Sequence, residues 1–234
     1  MQTQGIGSRK QCVARIRAGE IEVNGGICDD PESEVDPAAI RFTVDGIAWT
    51  YREKAYVLVN KPAGYECSHH PSHHRSVFSL LPPPLLQRGV QCVGRLDQDT
   101  TGLLLFSDDG QFIHRMISPK KGVAKVYRAT CADPLTDDML QALRTGVMLN
   151  DEPAPVAALA CEAIDAHTLQ LSLSEGKYHQ VKRMIAAAGN KVDRLHREAM
   201  GDFGLPDTLA PGDWCWLNTD ELQQLEQPWR SAKS

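Results

Sequence analysis

A run of four apolar residues, Leu103-Leu104-Leu105-Phe106, stands between two turn signals, Thr100-Thr101-Gly102 ahead of it and Asp108-Asp109-Gly110 behind it. A short apolar run bounded by breakers reads as a buried strand rather than a helix. Just before it, the segment Gly94-Arg95-Leu96-Asp97-Gln98-Asp99 sets two carboxylates at the strand's mouth. If the backbone is extended there, Asp97 and Asp99 point to one side. Two readings stay open at this stage. The acids form a reactive pair of the glycosidase kind, or they accept backbone hydrogen bonds in a turn. A core strand joined to a stiff turn is how a rigid scaffold presents one polar side chain.

The rest of the chain reads as alternating strands and helices. Ser8 caps a short helix through SRKQCVARIRAG, which Gly19 ends. Ile21 and Val23 alternate into an Asn24-Gly25 hairpin turn, and IRFTVDG forms a further strand after an acidic loop. Tyr56 to Val59 is a buried strand stopped by Lys61-Pro62. Residues 65–90 look irregular, first His-rich and then Pro-rich. Beyond the Asp-Asp-Gly turn, QFIHRMIS reads as a helix and KVYRATCA as a strand. LTDDMLQALRTGV is a helix capped by Thr136, and HTLQLSLSEG a strand. In YHQVKRMIAAAGN, Val181, Met184, Ile185 and Ala188 share one helical stripe, and WCWL and Leu222-Leu225 close the chain. With no regular βαβ repeat, the fold class is α+β with a mostly antiparallel or mixed central sheet. The first 48 residues form a small α+β module and residues 49–234 the main domain.

Bulk properties exclude several classes. No run of about 18 apolar residues exists, so no membrane partner is expected, and MQTQGIGSRK lacks the apolar core of a signal peptide. Seven scattered cysteines without a Cys-x-x-Cys indicate a reduced, cytoplasmic chain with no disulfide framework. CSHHPSHH at 67–74 has zinc-ligand chemistry but no second ligand pair, so it reads as a solvated loop beside an anionic ligand, and no metal is expected. The net charge of −5 weakly opposes a nucleic-acid partner. The charges are segregated, however. Arg115, Lys120, Lys121, Lys125 and Arg128 share one stretch without acids, and Lys177, Lys182, Arg183, Lys191, Arg194 and Arg197 another. Such segregation can give a basic face to an acidic protein. Lys182 and Arg183 open a helix whose dipole disfavours cations, which a nearby anion would explain.

These motifs are similar to those of a known family. GRLDQDTTGLLLFSDDG resembles the signature of pseudouridine synthases of the RsuA/RluA type, NKPAG their Lys-Pro-x-Gly element and KVYRA their Lys-x-Tyr strand. EGKYHQVKRMIAAAGNKVDRLHREAMG is similar to a segment of the RsuA branch. SRKQCVARIRAGEIEVNG resembles an S4 RNA-binding domain, without the first helix that should precede Ser8.

The resemblance implies an rRNA uridine isomerase that needs no cofactor and acts as a monomer. Its expected target is 16S (small-subunit) rRNA or an assembling small subunit. The alternatives are a uridine of 23S rRNA, a catalytically silent assembly factor, or a hydrolase using Asp97 and Asp99. Asp97 would be the catalytic carboxylate, Lys182 its cationic partner and Tyr127 the ring stacking on the base, with Asp99 serving the turn. Leu173 would wall the pocket and Arg95 would fill the gap left by the extruded uridine. Lys61 and Arg183 fall among the substrate contacts. Arg9, Lys10, Arg15 and Arg17 of the S4-like helix, with Lys120, Lys121 and Lys125, would follow phosphates.

Overall fold

The computed structural model describes residues 1–36, 40–44 and 46–229, so Asp45 and part of the acidic loop lie outside the described residues. The chain forms two compact units, Met1–Ala55 with Leu81–Gln91, and Tyr56–Leu80 with Cys92–Ser234.

In the smaller unit a single 3₁₀ turn, Gln2–Gln4, precedes helix α1 (Arg9–Arg17). Ser8 and Gln11 cap that helix reciprocally. The hairpin β1 (Ile21–Val23) and β2 (Gly26–Ile27) turns at Asn24 and Gly25, both with positive φ. β3 (Arg41–Val44) and β4 (Ile47–Thr50) complete a sheet in the order β2-β1-β3-β4. The boundary expected between residues 48 and 49 falls inside β4, whose pairing with β3 keeps it in this sheet. Ile21, Phe42 and Val44 make a small core.

The Pro-rich stretch that looked irregular holds helix α2 (Pro83–Gln87), with proline in the first turn where no donor is needed. It belongs to the smaller unit because Arg88 donates to Gln4 Oε1 and to the carbonyl of Arg52, while the Gln4 side chain pairs with the Arg52 backbone in both directions.

The larger unit is built on β5 (Tyr56–Lys61), the short pair β6 (Tyr65–Glu66) and β7 (Arg75–Ser76), and β8 (Gln91–Cys92), through which the chain re-enters it. β9 (Thr101–Ser107), α3 (Gly110–Ile117), β10 (Lys125–Cys131) and α4 (Asp137–Thr145) follow. Then come β11 (Ala160–Ala163), β12 (Thr168–Leu173), α5 (Gln180–Ala187), β13 (Val192–Met200), β14 (Phe203–Gly204), β15 (Trp214–Trp216) and α6 (Thr219–Leu225). The sheet runs β11-β12-β10-β13-β9-β5-β15, antiparallel except where β13 lies parallel to β9. The expected α+β class with a mixed sheet is therefore what the structure has.

Asp109, the Asp-Asp-Gly turn residue, caps α3, whose Phe112 and Met116 pack with Leu58, Leu103 and Leu105 on one face of the sheet. The parallel contact depends on Gly102. Its φ is 102°, and a Cβ there would lie 2.3 Å from the Arg197 carbonyl oxygen.

Lys61, at the end of β5, has no exposed surface. Its ammonium donates to the carbonyls of Pro62 (3.2 Å), Asp97 (3.0 Å), Gln98 (3.1 Å) and Thr100 (2.8 Å). It was expected to contact substrate, but it sits beneath the Asp97 loop. Burial pushes it below the ordinary lysine value, against the pull of nearby Cys67, Asp99 and Asp97. Lys61→Met strands several buried acceptors and should destabilise the protein by about 3 kcal/mol. Urea unfolding should show a lower midpoint at unchanged slope; a wild-type midpoint would contradict this role.

Candidate active site

The segment Gly94–Thr100 is held from several directions. Gly94 takes φ 77°, the Thr100 amide closes a turn on the Asp97 carbonyl, and the Gly64 amide donates to the Gln98 carbonyl. The Leu96 amide points at the Cys67 sulfur at 3.4 Å. With its backbone thus immobilised from β5 and the loop after it, Asp97 lines an open cleft. Tyr127 of β10, Leu173 of β12, Leu195 of β13 and Val181 of α5 wall the cleft, and Arg95 stands at it as an exposed side chain.

Two nitrogen-bearing side chains approach the carboxylates from the start of α5. Lys182 Nζ lies 3.2 Å from Asp97 Oδ2 and binds both oxygens of Asp99, at 2.7 and 2.9 Å. Burial pulls the Lys182 ammonium down, but the Asp99 hydrogen bond and the Asp97 charge outweigh it and leave it above the ordinary lysine value. Burial likewise raises Asp99, and the Lys182 hydrogen bond and charge more than reverse this. Lys182 therefore stays protonated and Asp99 ionised at neutral pH. Asp99, expected to serve only the turn, is the strongest ligand of the lysine.

His179 was not singled out from the sequence. Its Nε2 lies 3.3 Å from Asp97 Oδ1, and its ring stacks on Tyr178 at 3.8 Å. It reaches there because its backbone adopts φ 48°, a left-handed conformation uncommon outside glycine. Gln180, almost fully buried, ties the preceding loop by accepting from the Lys177 amide and donating to Glu175. The Gly-Lys-Tyr-His element was visible in the sequence, but the turn that aims His179 was not.

Other expected contacts are distributed differently. Arg183 bends away from the cleft, donating to the carbonyls of Tyr178 and Asn150. Lys120 and Lys121 are exposed on a 3₁₀ turn (Pro119–Lys121). Lys125, expected on the same surface track, is buried. In the smaller unit Arg9, Lys10 and Arg17 are exposed on α1, while Arg15 pairs with Glu20 at 3.1 Å. The histidine loop is ordered by Glu66, whose carboxylate accepts from the amides of Ser72, His73 and His74. No helix among the described residues is long and apolar enough to cross a membrane.

An immobilised carboxylate beside a protonated lysine, facing an aromatic ring across an apolar-walled cleft, suits chemistry on a ring-bearing substrate. Comparisons with known proteins agree. Residues 55–187 match the family described as RNA pseudouridylate synthase. The "Ribosomal small subunit pseudouridine synthase A" of Yersinia pestis is 38% identical over 97% of this chain and 96% of its own length. An "Uncharacterized RNA pseudouridine synthase" of Bacillus subtilis (strain 168) is 37% identical over 96% of this chain and 95% of its own. A solved structure titled "Crystal structure of pseudouridylate synthase" is 35% identical, with TM-score 0.70 over 95% of both chains. The chain belongs to the RNA pseudouridylate synthase family.

Proposed function

We propose that this protein isomerises a specific uridine of 16S (small-subunit) rRNA to pseudouridine, with Asp97 as the catalytic carboxylate. The observation that carries the reading is the Asp97 carboxylate, held in the cleft opposite Tyr127 and Leu173 with Lys182 at 3.2 Å. The near full-length similarity to relatives named for the small ribosomal subunit supports the choice of rRNA.

The reaction breaks the uridine N1–C1′ bond, turns the base and joins C5 to C1′. The C5 proton is lost, N1 gains one, and no mass changes. Attack by Asp97 at C1′ and removal of a ribose proton by Asp97 both need the ionised carboxylate. Lys182 Nζ and His179 Nε2 lie 3.2 and 3.3 Å from the oxygens of that carboxylate. Tyr127 stacks on the detached base and Leu173 confines it, so that it recombines rather than escapes. Its hydroxyl takes part in proton transfer at C5. Arg95, exposed at the cleft, fills the space in the RNA that the extruded uridine leaves. The monomer works in the cytoplasm, and the smaller unit, read as an S4-like module, contacts phosphates through Arg9, Lys10, Arg15 and Arg17.

Site-resolved mapping of pseudouridine in rRNA, with and without the gene, should show one modified small-subunit position disappear. Loss at a large-subunit position, or no loss, would overturn the assignment. Asp97→Asn preserves shape but not charge, so turnover should vanish while RNA binding persists. Asp99→Asn should lower the rate about tenfold, because Lys182 loses its strongest ligand. Substantial conversion by Asp97→Asn would remove the mechanism, as would release of free uracil by the wild type.

Lys182→Met should slow conversion by about two orders of magnitude or more, and Lys182→Arg should retain more activity. Equal rates for the two variants would exclude an electrostatic role. Replacing Arg15 and Arg17 together by Gln should flatten the plot of log K against log salt by about 0.7–0.9 per lost phosphate contact. It should weaken different RNA sequences alike. An unchanged slope would show that α1 does not touch RNA.

A further inference from the structure

We propose that a second cavity beside the aspartate cleft is a phosphodiester subsite, in which Lys125 and Arg197 hold a backbone phosphate next to the target uridine. The proposal rests on the RNA-modifying reading above and adds to it a separate binding site with its own ligand chemistry.

Strand register places these groups together. Lys125 and Tyr127 are two residues apart on β10 and so face the same way. Arg197 of β13 is the direct cross-strand neighbour of Tyr127. All three line a cavity of about 250 Å³, together with Arg95 and the apolar side chains of Ile117 and Met200. The cavity shares Arg95, Tyr127 and the Glu175–Lys177 loop with the cleft that holds Asp97. A strand entering the cleft with its uridine thus brings its neighbouring linkage to this wall.

The two cations are buried, at 6% exposure for Lys125 and 3% for Arg197. Arg197 Nε donates to the Leu103 carbonyl at 2.8 Å, but its Nη2 is buried with no hydrogen-bond partner. Lys125 Nζ has the Ser174 carbonyl at 3.5 Å, the limit of a hydrogen bond. Glu175, the acid lining the cavity, is engaged by Lys177 at 3.3 Å and by the Gln180 amide. Burial and then the Arg197 charge push the Lys125 ammonium down to about 8. Two buried like charges with open donor capacity are costly unless an anion joins them. A phosphate supplies the charge and the acceptors, and the apolar walls suit the attached sugar or base. Lys125 therefore leaves the surface track expected for it and acts from inside the cavity.

The test uses the full-length protein and a short RNA spanning the uridine identified by mapping. Linkages flanking that uridine are replaced, one at a time, by neutral methylphosphonate. One replacement should weaken wild-type binding about tenfold and Lys125→Met, already weaker, by much less, since Arg197 alone remains to sense the charge. Lys125→Arg should keep the sensitivity, and Lys125→Met should flatten the salt slope by about 0.7. Because the change is made in the RNA, misfolding of a variant cannot produce the wild-type result. Equal losses for wild type and Lys125→Met at every linkage would overturn the proposal. A second arm needs no substrate. Inorganic phosphate should raise the titration midpoint of the Lys125 resonance in lysine-labelled protein, identified by its absence in Lys125→Met. If phosphate shifts it but no linkage matters, the cavity takes a free anion and the phosphodiester assignment falls. Conversion of unmodified RNA is measured alongside, so failure of the enzymatic reading shows separately.

Discussion

The ammonium of Lys61 sits in the interior of the larger unit and donates to four backbone carbonyls, three of them from Asp97, Gln98 and Thr100. Burying an ammonium costs several kcal/mol unless its hydrogen-bonding capacity is met. Here the loop meets it, so the loop's conformation and the lysine's burial stabilise each other. β5 supplies the cation and the turn entering β9 supplies the acceptors, and these two strands pair along their length. The position of the Asp97 carboxylate is thereby set by the core of the sheet. Such fixed placement is the preorganisation that the proposed charge-based catalysis by Asp97 requires.

Around this fixed point, charge is arranged by the strand and helix that carry it. The start of α5 brings Lys182 and His179 to Asp97 and Asp99, so each carboxylate has a cationic neighbour. On β10 and β13, Lys125 and Arg197 lie buried beside Tyr127. In the cleft one lysine thus faces two carboxylates, while the adjoining wall carries a surplus of positive charge. A chain with net charge −5 can in this way carry a locally basic wall beside its candidate site.

Much of the local structure was legible from short-range chemistry. Caps at Ser8 and Thr136 and the Asn24-Gly25 turn appear where the residues indicated. These features depend on hydrogen bonds within a few residues, so neighbouring identities suffice. β13 escaped notice although it lies between β10 and β9 at the middle of the sheet. Its sequence, VDRLHREAM, is rich in charge, and His196, Arg197 and Glu198 find partners on other strands, as Arg197 does with the Leu103 carbonyl. α2 was hidden for a related reason. Its prolines mark an irregular stretch until the Gln4 and Arg88 contacts give it a place.

The sequence by itself determined the α+β class and the family resemblance, and through that resemblance pointed to Asp97, Tyr127 and Lys182 as candidates, because motif order and local periodicity carry that information along the chain. Tertiary structure decided what each cation does. Lys61, Lys125, Lys182 and Arg183 look alike in sequence, yet one supports a loop, one lies in a cavity, one binds two carboxylates and one turns back on carbonyls. The reason is physical. A charged side chain takes its role from the dielectric and the partners around it, and those are set by strands and loops far away in sequence.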